Sequence, residues 1–159
     1  MNKFIIFFLI IALLTTGCTS KDNNEVEPQE SLAYEMNVST DIDGYSVFMS
    51  SVPGMPINID AVIYDESANL QLIITTDNGQ LLLWKNQNID NLKNEYVTDF
   101  EDKTVYWTPM NETDNQIIEE ATVLIKIFDK DLDEITLTYI GSIELVDDTT
   151  YKIKYDIEE

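Results

Sequence analysis

From residue 34 onward, apolar and polar residues alternate with a period of two, the spacing that puts successive side chains on opposite faces of a β-strand. Ala121, Val123, Ile125 and Ile127 alternate with Thr122, Leu124, Lys126 and Phe128. Ile135, Leu137 and Tyr139 alternate with Thr136, Thr138 and Ile140, and Tyr151, Ile153, Tyr155 and Ile157 with Lys152, Lys154 and Asp156. The same reasoning predicts strands over 45–50, 57–64, 70–76, 80–85 and 104–107, seven or eight in all. No helical period separates them, although 86–94 reads as a helical turn and 115–120 as a loop. Strands in this number, joined by turns, predict an all-β domain over 34–159, an antiparallel two-sheet β-sandwich.

The strongest turn signal is Asn78-Gly79, because both residues tolerate the positive φ of a type I′ hairpin. A two-residue turn there would set Thr76 opposite Leu81, Ile74 opposite Leu83 and Ile73 opposite Trp84. One face of this hairpin would carry Leu72, Ile74, Leu81 and Leu83, the other Ile73, Leu82 and Trp84. A sandwich strand normally wets its outer face. Ile73, Leu82 and Trp84 are therefore expected either to lie under a covering loop, for which 86–100 is the preferred segment, or to form a patch for a partner.

The N-terminus follows a different pattern. Lys3 gives a positive start, residues 4–14 are an unbroken apolar run, and Leu14-Thr15-Thr16-Gly17-Cys18 follows. Eleven residues span about half of a bilayer core, which suits a secretory signal rather than a transmembrane helix. The pattern resembles the lipobox of bacterial lipoproteins. That resemblance implies cleavage after Gly17, a diacylglyceryl group on the Cys18 thiol, and residence outside the cytoplasm on a cell membrane or outer membrane. Each buried methylene contributes about 0.8 kcal/mol, so two or three acyl chains hold a protein essentially permanently. Residues 1–17 are thus the expected signal peptide, and 18–33, acidic and almost without aliphatic side chains, the expected disordered tether. The strand rhythm of the mature region, including Tyr106-Trp107-Thr108-Pro109, resembles the immunoglobulin-like domains of bacterial surface lipoproteins. The disulfide of such domains is absent, since the sole cysteine lies outside the domain.

Charge and composition narrow the chemistry. The chain has 30 acidic and 9 basic residues, all lysine, a net charge of −21 and no histidine. Triads and metal sites built on imidazole are excluded. An acidic surface repels nucleic acid phosphates, and its self-repulsion argues for a monomer.

Two candidate constellations remain. Asp129, Asp131 and Asp133 alternate like the start of a calcium loop, but Glu134 stands where such a loop needs Gly and Ile140 where it needs Glu. The preferred reading is a polar hairpin turn, with no cofactor required and a weak calcium site as the alternative. Trp84, Tyr106 and Trp107 offer stacking surfaces for a glycan, although large strand aromatics are more often core. The expected function is non-enzymatic binding of an envelope protein or glycan by a membrane-anchored domain. The alternatives are a carboxylate-based hydrolase acting on envelope glycans and a calcium-stabilised adhesion module.

Overall fold

The computed structural model describes residues 34–109 and 118–158, which belong to a unit spanning Leu32–Glu159. Residues 1–33, which hold the expected signal peptide, the expected lipid attachment at Cys18 and the expected tether, lie outside the described residues. Eleven strands occur among the described residues: β1 (Tyr34–Ser39), β2 (Tyr45–Ser46), β3 (Met55–Ile63), β4 (Leu70–Thr76), β5 (Gln80–Lys85), β6 (Asn88–Lys93), β7 (Glu95–Thr98), β8 (Thr104–Thr108), β9 (Glu120–Asp129), β10 (Glu134–Leu145) and β11 (Thr150–Glu158). They form a five-stranded sheet in the order β1-β3-β8-β5-β6 and a six-stranded sheet in the order β2-β11-β10-β9-β4-β7. All pairs are antiparallel, and one of the two sheets curls into a half-barrel.

Alternation in the sequence becomes alternation in burial. Leu70, Leu72, Ile74 and Thr76 of β4 are buried while Gln71, Ile73 and Thr75 are only half so, and β9 repeats the pattern with Ala121, Val123, Ile125 and Ile127. One apolar cluster unites these residues with Met55, Ile57 and Ile59 of β3, Leu81 and Leu83 of β5, and Val105 and Trp107 of β8. Both sheets therefore turn their inner faces to the same core. Trp107 is wholly buried and stands edge-to-face on Tyr151, with ring centroids 5.2 Å apart.

Three of the eleven strands lie outside the expected ranges. β1 alternates with period two, Tyr34, Met36 and Val38 against Glu35, Asn37 and Ser39, yet falls outside the expected ranges; β6 and β7 carry too few apolar residues to announce themselves and occupy the segment read as a helical turn and covering loop. Conversely, only Tyr45 and Ser46 of 45–50 are strand. The chain then turns, with Met49 N–H and Ser50 N–H donating to Ser46 O at 3.3 and 3.0 Å.

The Asn78-Gly79 hairpin is not formed. β4 pairs with β9 and β7 in one sheet, β5 with β8 and β6 in the other, and Asn78-Gly79 is the corner between them. The Asn78 carbonyl accepts the Thr76 hydroxyl at 2.6 Å and the Trp107 indole N–H at 2.9 Å. Asp77 is tied to the start of β9 by exchanging bonds with Thr122, its N–H donating to Thr122 O at 3.1 Å and its Oδ1 accepting Thr122 N–H at 2.7 Å. Gly79 has φ of 75°, and a Cβ there would lie 2.6 Å from Thr108 O and 2.7 Å from Trp107 Nε1. The glycine serves a close approach to the tryptophan rather than a hairpin. The turn with two positive φ values instead joins β5 to β6, at Asn86 and Gln87 (52° and 67°), between the paired residues Lys85 and Asn88.

Replacing Gly79 should therefore be costly although the residue lies in a turn. Gly79→Ala is expected to lose about 1–3 kcal/mol of stability in urea unfolding, from the disfavoured φ and the collision with backbone. An unchanged midpoint would contradict this corner geometry.

Candidate functional site

The three aspartates form a turn. β9 and β10 pair up to Asp129↔Glu134, and the Asp129 Oδ1 atom accepts the amides of Asp131 and Leu132 at 2.8 and 3.1 Å. Asp131 accepts the Asn69 side-chain amide at 3.3 Å, and Asp133 closes the hairpin with φ of 57°. An Asp whose carboxylate bonds backbone two residues on is the usual author of such a turn. Among the described residues, no three acidic or thiol side chains converge so as to hold a metal ion.

The apolar trio is divided. Ile73 sits on the outer face of the six-stranded sheet, directly opposite Val97 of β7, whereas Leu82 and Trp84 lie on the outer face of the five-stranded sheet. The hairpin that would have joined them does not exist, so they are not one patch. The segment 86–100 does not cover them either, because β6 extends the sheet sideways instead of folding over it.

What β5 presents outward is a smaller cluster. Pro56, Tyr106, Leu82 and Asn91 follow one another across four strands in register, and Trp84 stands beside Ile89 one rung along. The Trp84 and Tyr106 rings meet edge-to-face at 5.9 Å. Leu82 is buried, while Trp84 and Ile89 keep 38% and 55% of their surface exposed. Trp107, the third candidate aromatic, faces the core.

Beside this cluster is an ionic group that the sequence did not suggest. Asp102, 9% exposed, receives the Lys85 ammonium from β5 and the Tyr96 hydroxyl from β7, and so links the two sheets. Burial, the largest influence, pushes the Asp102 carboxyl up, but the Lys85 and Tyr96 bonds outweigh it and hold the group below the ordinary carboxylate value. The bond to Asp102 raises Lys85, and burial followed by the same bond raises Tyr96. Each of the three residues sits in a stretch without clear periodicity, so no spacing marks them as partners.

A hollow of about 460 Å³ lies elsewhere and is polar. Asp77, Glu120, Glu144 and Ser142 line it at the start of β9 and the end of β10. A neighbouring hollow shares Glu120 and Glu144 and adds Glu119, Asp147 and Asp148. Asp147 bonds the amides of Thr149 and Thr150 at 2.9 and 2.8 Å, which lowers its carboxyl. Among the described residues no aromatic side chain lines either hollow, so these carboxylates do not face the Trp84–Tyr106 pair. Acidic groups without a stacking wall can attract cations but do not grip a sugar ring.

One further feature was hidden by the expected strand at 45–50. Phe48 and Met49, in the turn after β2, are 82% and 88% exposed. The chain matches no protein family, no curated protein and no solved structure.

The Asp102 group makes a pH-dependent prediction. A carboxyl lowered in the folded state contributes stability that is present above its unfolded value of about 3.9 and is lost as pH falls through the folded value. Asp102→Asn is expected to cost about 1–3 kcal/mol at pH 7, the worth of bonds to a charged acceptor. The difference from the parent protein should begin to shrink as pH drops below about 4, where the unfolded parent protonates, and vanish as the folded carboxyl, held lower, protonates in turn. Equal differences at pH 7 and pH 3 would contradict the ionic role.

Proposed function

We propose that this protein is an extracytoplasmic lipoprotein, held on a cell membrane or outer membrane by lipid on Cys18, whose immunoglobulin-like sandwich is a non-enzymatic binding domain. The observation that carries the anchor is the run from Lys3 through the apolar residues 4–14 to Gly17-Cys18, with the chain's sole cysteine at the modification point. The binding role is supported by the cluster of solvent-open Trp84 and Ile89 with the half-buried Tyr106, since an aromatic face suits a protein or glycan ligand.

The immunoglobulin-like reading is supported by strand order. β1-β3-β8-β5 in one sheet and β4-β9-β10 in the other follow the ABED and CFG order of constant-type domains. The step from β4 to β5 at Asn78-Gly79 then takes the place of the crossing from strand C to strand D. β2, β6, β7 and β11 are additions to that frame, and Trp107 falls on the strand in position E.

Metabolic labelling of producing cells with a fatty acid tests this reading. The parent protein and Trp84→Ala should both carry label in the membrane fraction, and Cys18→Ala should carry none and leave that fraction. Envelope material retained by the parent protein should be lost from Trp84→Ala. Label persisting on Cys18→Ala would refute the anchor, and retention independent of Trp84 would refute the aromatic binding face.

A further inference from the structure

β11 is covered unevenly. On one side β10 pairs with it along its length, from Leu145↔Tyr151 to Thr138↔Glu158. On the other side β2 pairs only with Thr150 and Tyr151, so among the described residues no strand pairs with 152–158 there, and the segment before β2 stands off from Lys152, Ile153 and Lys154 across a cleft. Val146 N–H donates to Thr150 O at 2.9 Å, which turns the backbone groups of even-numbered β11 residues toward β10. Those of Ile153, Tyr155 and Ile157 therefore point to the open edge. A bare edge of this length is a template for another strand.

The residues on this edge are self-complementary. They read Lys152-Ile153-Lys154-Tyr155-Asp156-Ile157-Glu158, with the four charges on the outer face and the apolar residues facing inward. We propose that this edge pairs with the same edge of a second copy, antiparallel about a two-fold axis at Tyr155, giving a homodimer with one sheet running through both copies. In that register Lys152 lies opposite Glu158, Ile153 opposite Ile157, Lys154 opposite Asp156, and Tyr155 opposite itself. Ile153, Tyr155 and Ile157 fall at the hydrogen-bonded pairs, each exchanging two backbone bonds. The charges fall at the non-hydrogen-bonded pairs, where strands approach to about 4.5 Å between Cα atoms and side chains are closest.

Charge also selects this register over its neighbours. A slip of two residues places Lys154 against Lys154 or Asp156 against Asp156, and a parallel arrangement would match like charges throughout. The apolar residues fit as well. Ile157 is 57% exposed, and beside Ile153, its partner in the proposed register, a cleft of about 220 Å³ runs between that residue and Thr40, Ile42 and Met55. The second copy's Ile157 would enter the mouth of this cleft. Lys152 now bonds Asp43 at 3.2 Å, but that carboxylate is fully exposed and readily exchanged for Glu158 of the second copy. The net charge of −21 opposes association, yet in physiological salt it is screened beyond about 8 Å, whereas the paired edge charges lie within a few ångströms.

Mixing donor-labelled and acceptor-labelled full chains in mild detergent tests the pairing by energy transfer. The parent protein should associate at high micromolar concentration. Lys154→Glu alone and Asp156→Lys alone each create two like-charge pairs and should weaken association by about tenfold or more. The two single variants mixed together regain both opposite-charge pairs and should associate with each other as the parent does. Both side chains are exposed, so the fold should persist, as circular dichroism would verify. A parent protein that stays monomeric would overturn the proposal. So would association indifferent to both substitutions, as contact through the apolar leader would be, or a mixture that fails to recover.

Discussion

Trp107 occupies the middle of the core, and its indole N–H must find an acceptor because an unpaired buried donor is expensive. It finds the Asn78 carbonyl, which lies within reach only because the chain crosses from one sheet to the other over the edge of the ring. Gly79 makes that crossing possible, since any Cβ there would strike the indole and the Thr108 backbone. Once β4 and β5 are sent to different sheets, each must find other neighbours. β4 settles between β7 and β9, β5 between β6 and β8, and Leu72, Ile74, Leu81 and Leu83 face one another across the core rather than side by side.

The same separation shapes the outer faces of the two sheets. β5 has apolar residues at three consecutive positions, Leu81 to Leu83, followed by Trp84, so it cannot hide all of them inward. With β4 in the other sheet, the surplus rests on the outer face beside Tyr106 and Ile89, where it makes an aromatic cluster rather than a broad greasy sheet. The few cations are used at particular joints. Lys85 meets the carboxylate that links the sheets, Lys130 meets Asp99 at 3.0 Å, and Lys152 and Lys154 mark an edge that also carries Asp156 and Glu158. In so acidic a chain, the position of a lysine says more than its number.

β9 and β11 were legible because burial on one face imposes a period of two on the sequence, and β1 carries the same period although it fell outside the expected ranges. β6 was not legible, since five of its six residues are exposed and it is held by backbone pairing to β5, which leaves no hydrophobic trace. The Asn78-Gly79 signal was real as a turn and misleading as a hairpin. Local turn chemistry cannot tell a return within a sheet from a crossing between sheets, and Trp107, 28 residues beyond Gly79, decided between them. The aspartate turn was readable because Asp129 acts on amides two and three residues away. The Lys85–Asp102–Tyr96 group was not, because its members converge only after two sheets have assembled.

The central claim is that β4 and β5 lie in opposite sheets, and backbone proton–proton contacts in the nuclear magnetic resonance spectrum test it most directly. The account predicts cross-strand contacts between Leu81 and Trp107 and between Ile74 and Ile125, with none between β4 and β5 beyond the corner. Backbone contacts of Ile74 with Leu83 and of Thr76 with Leu81, the pairs of a closed hairpin, would contradict it.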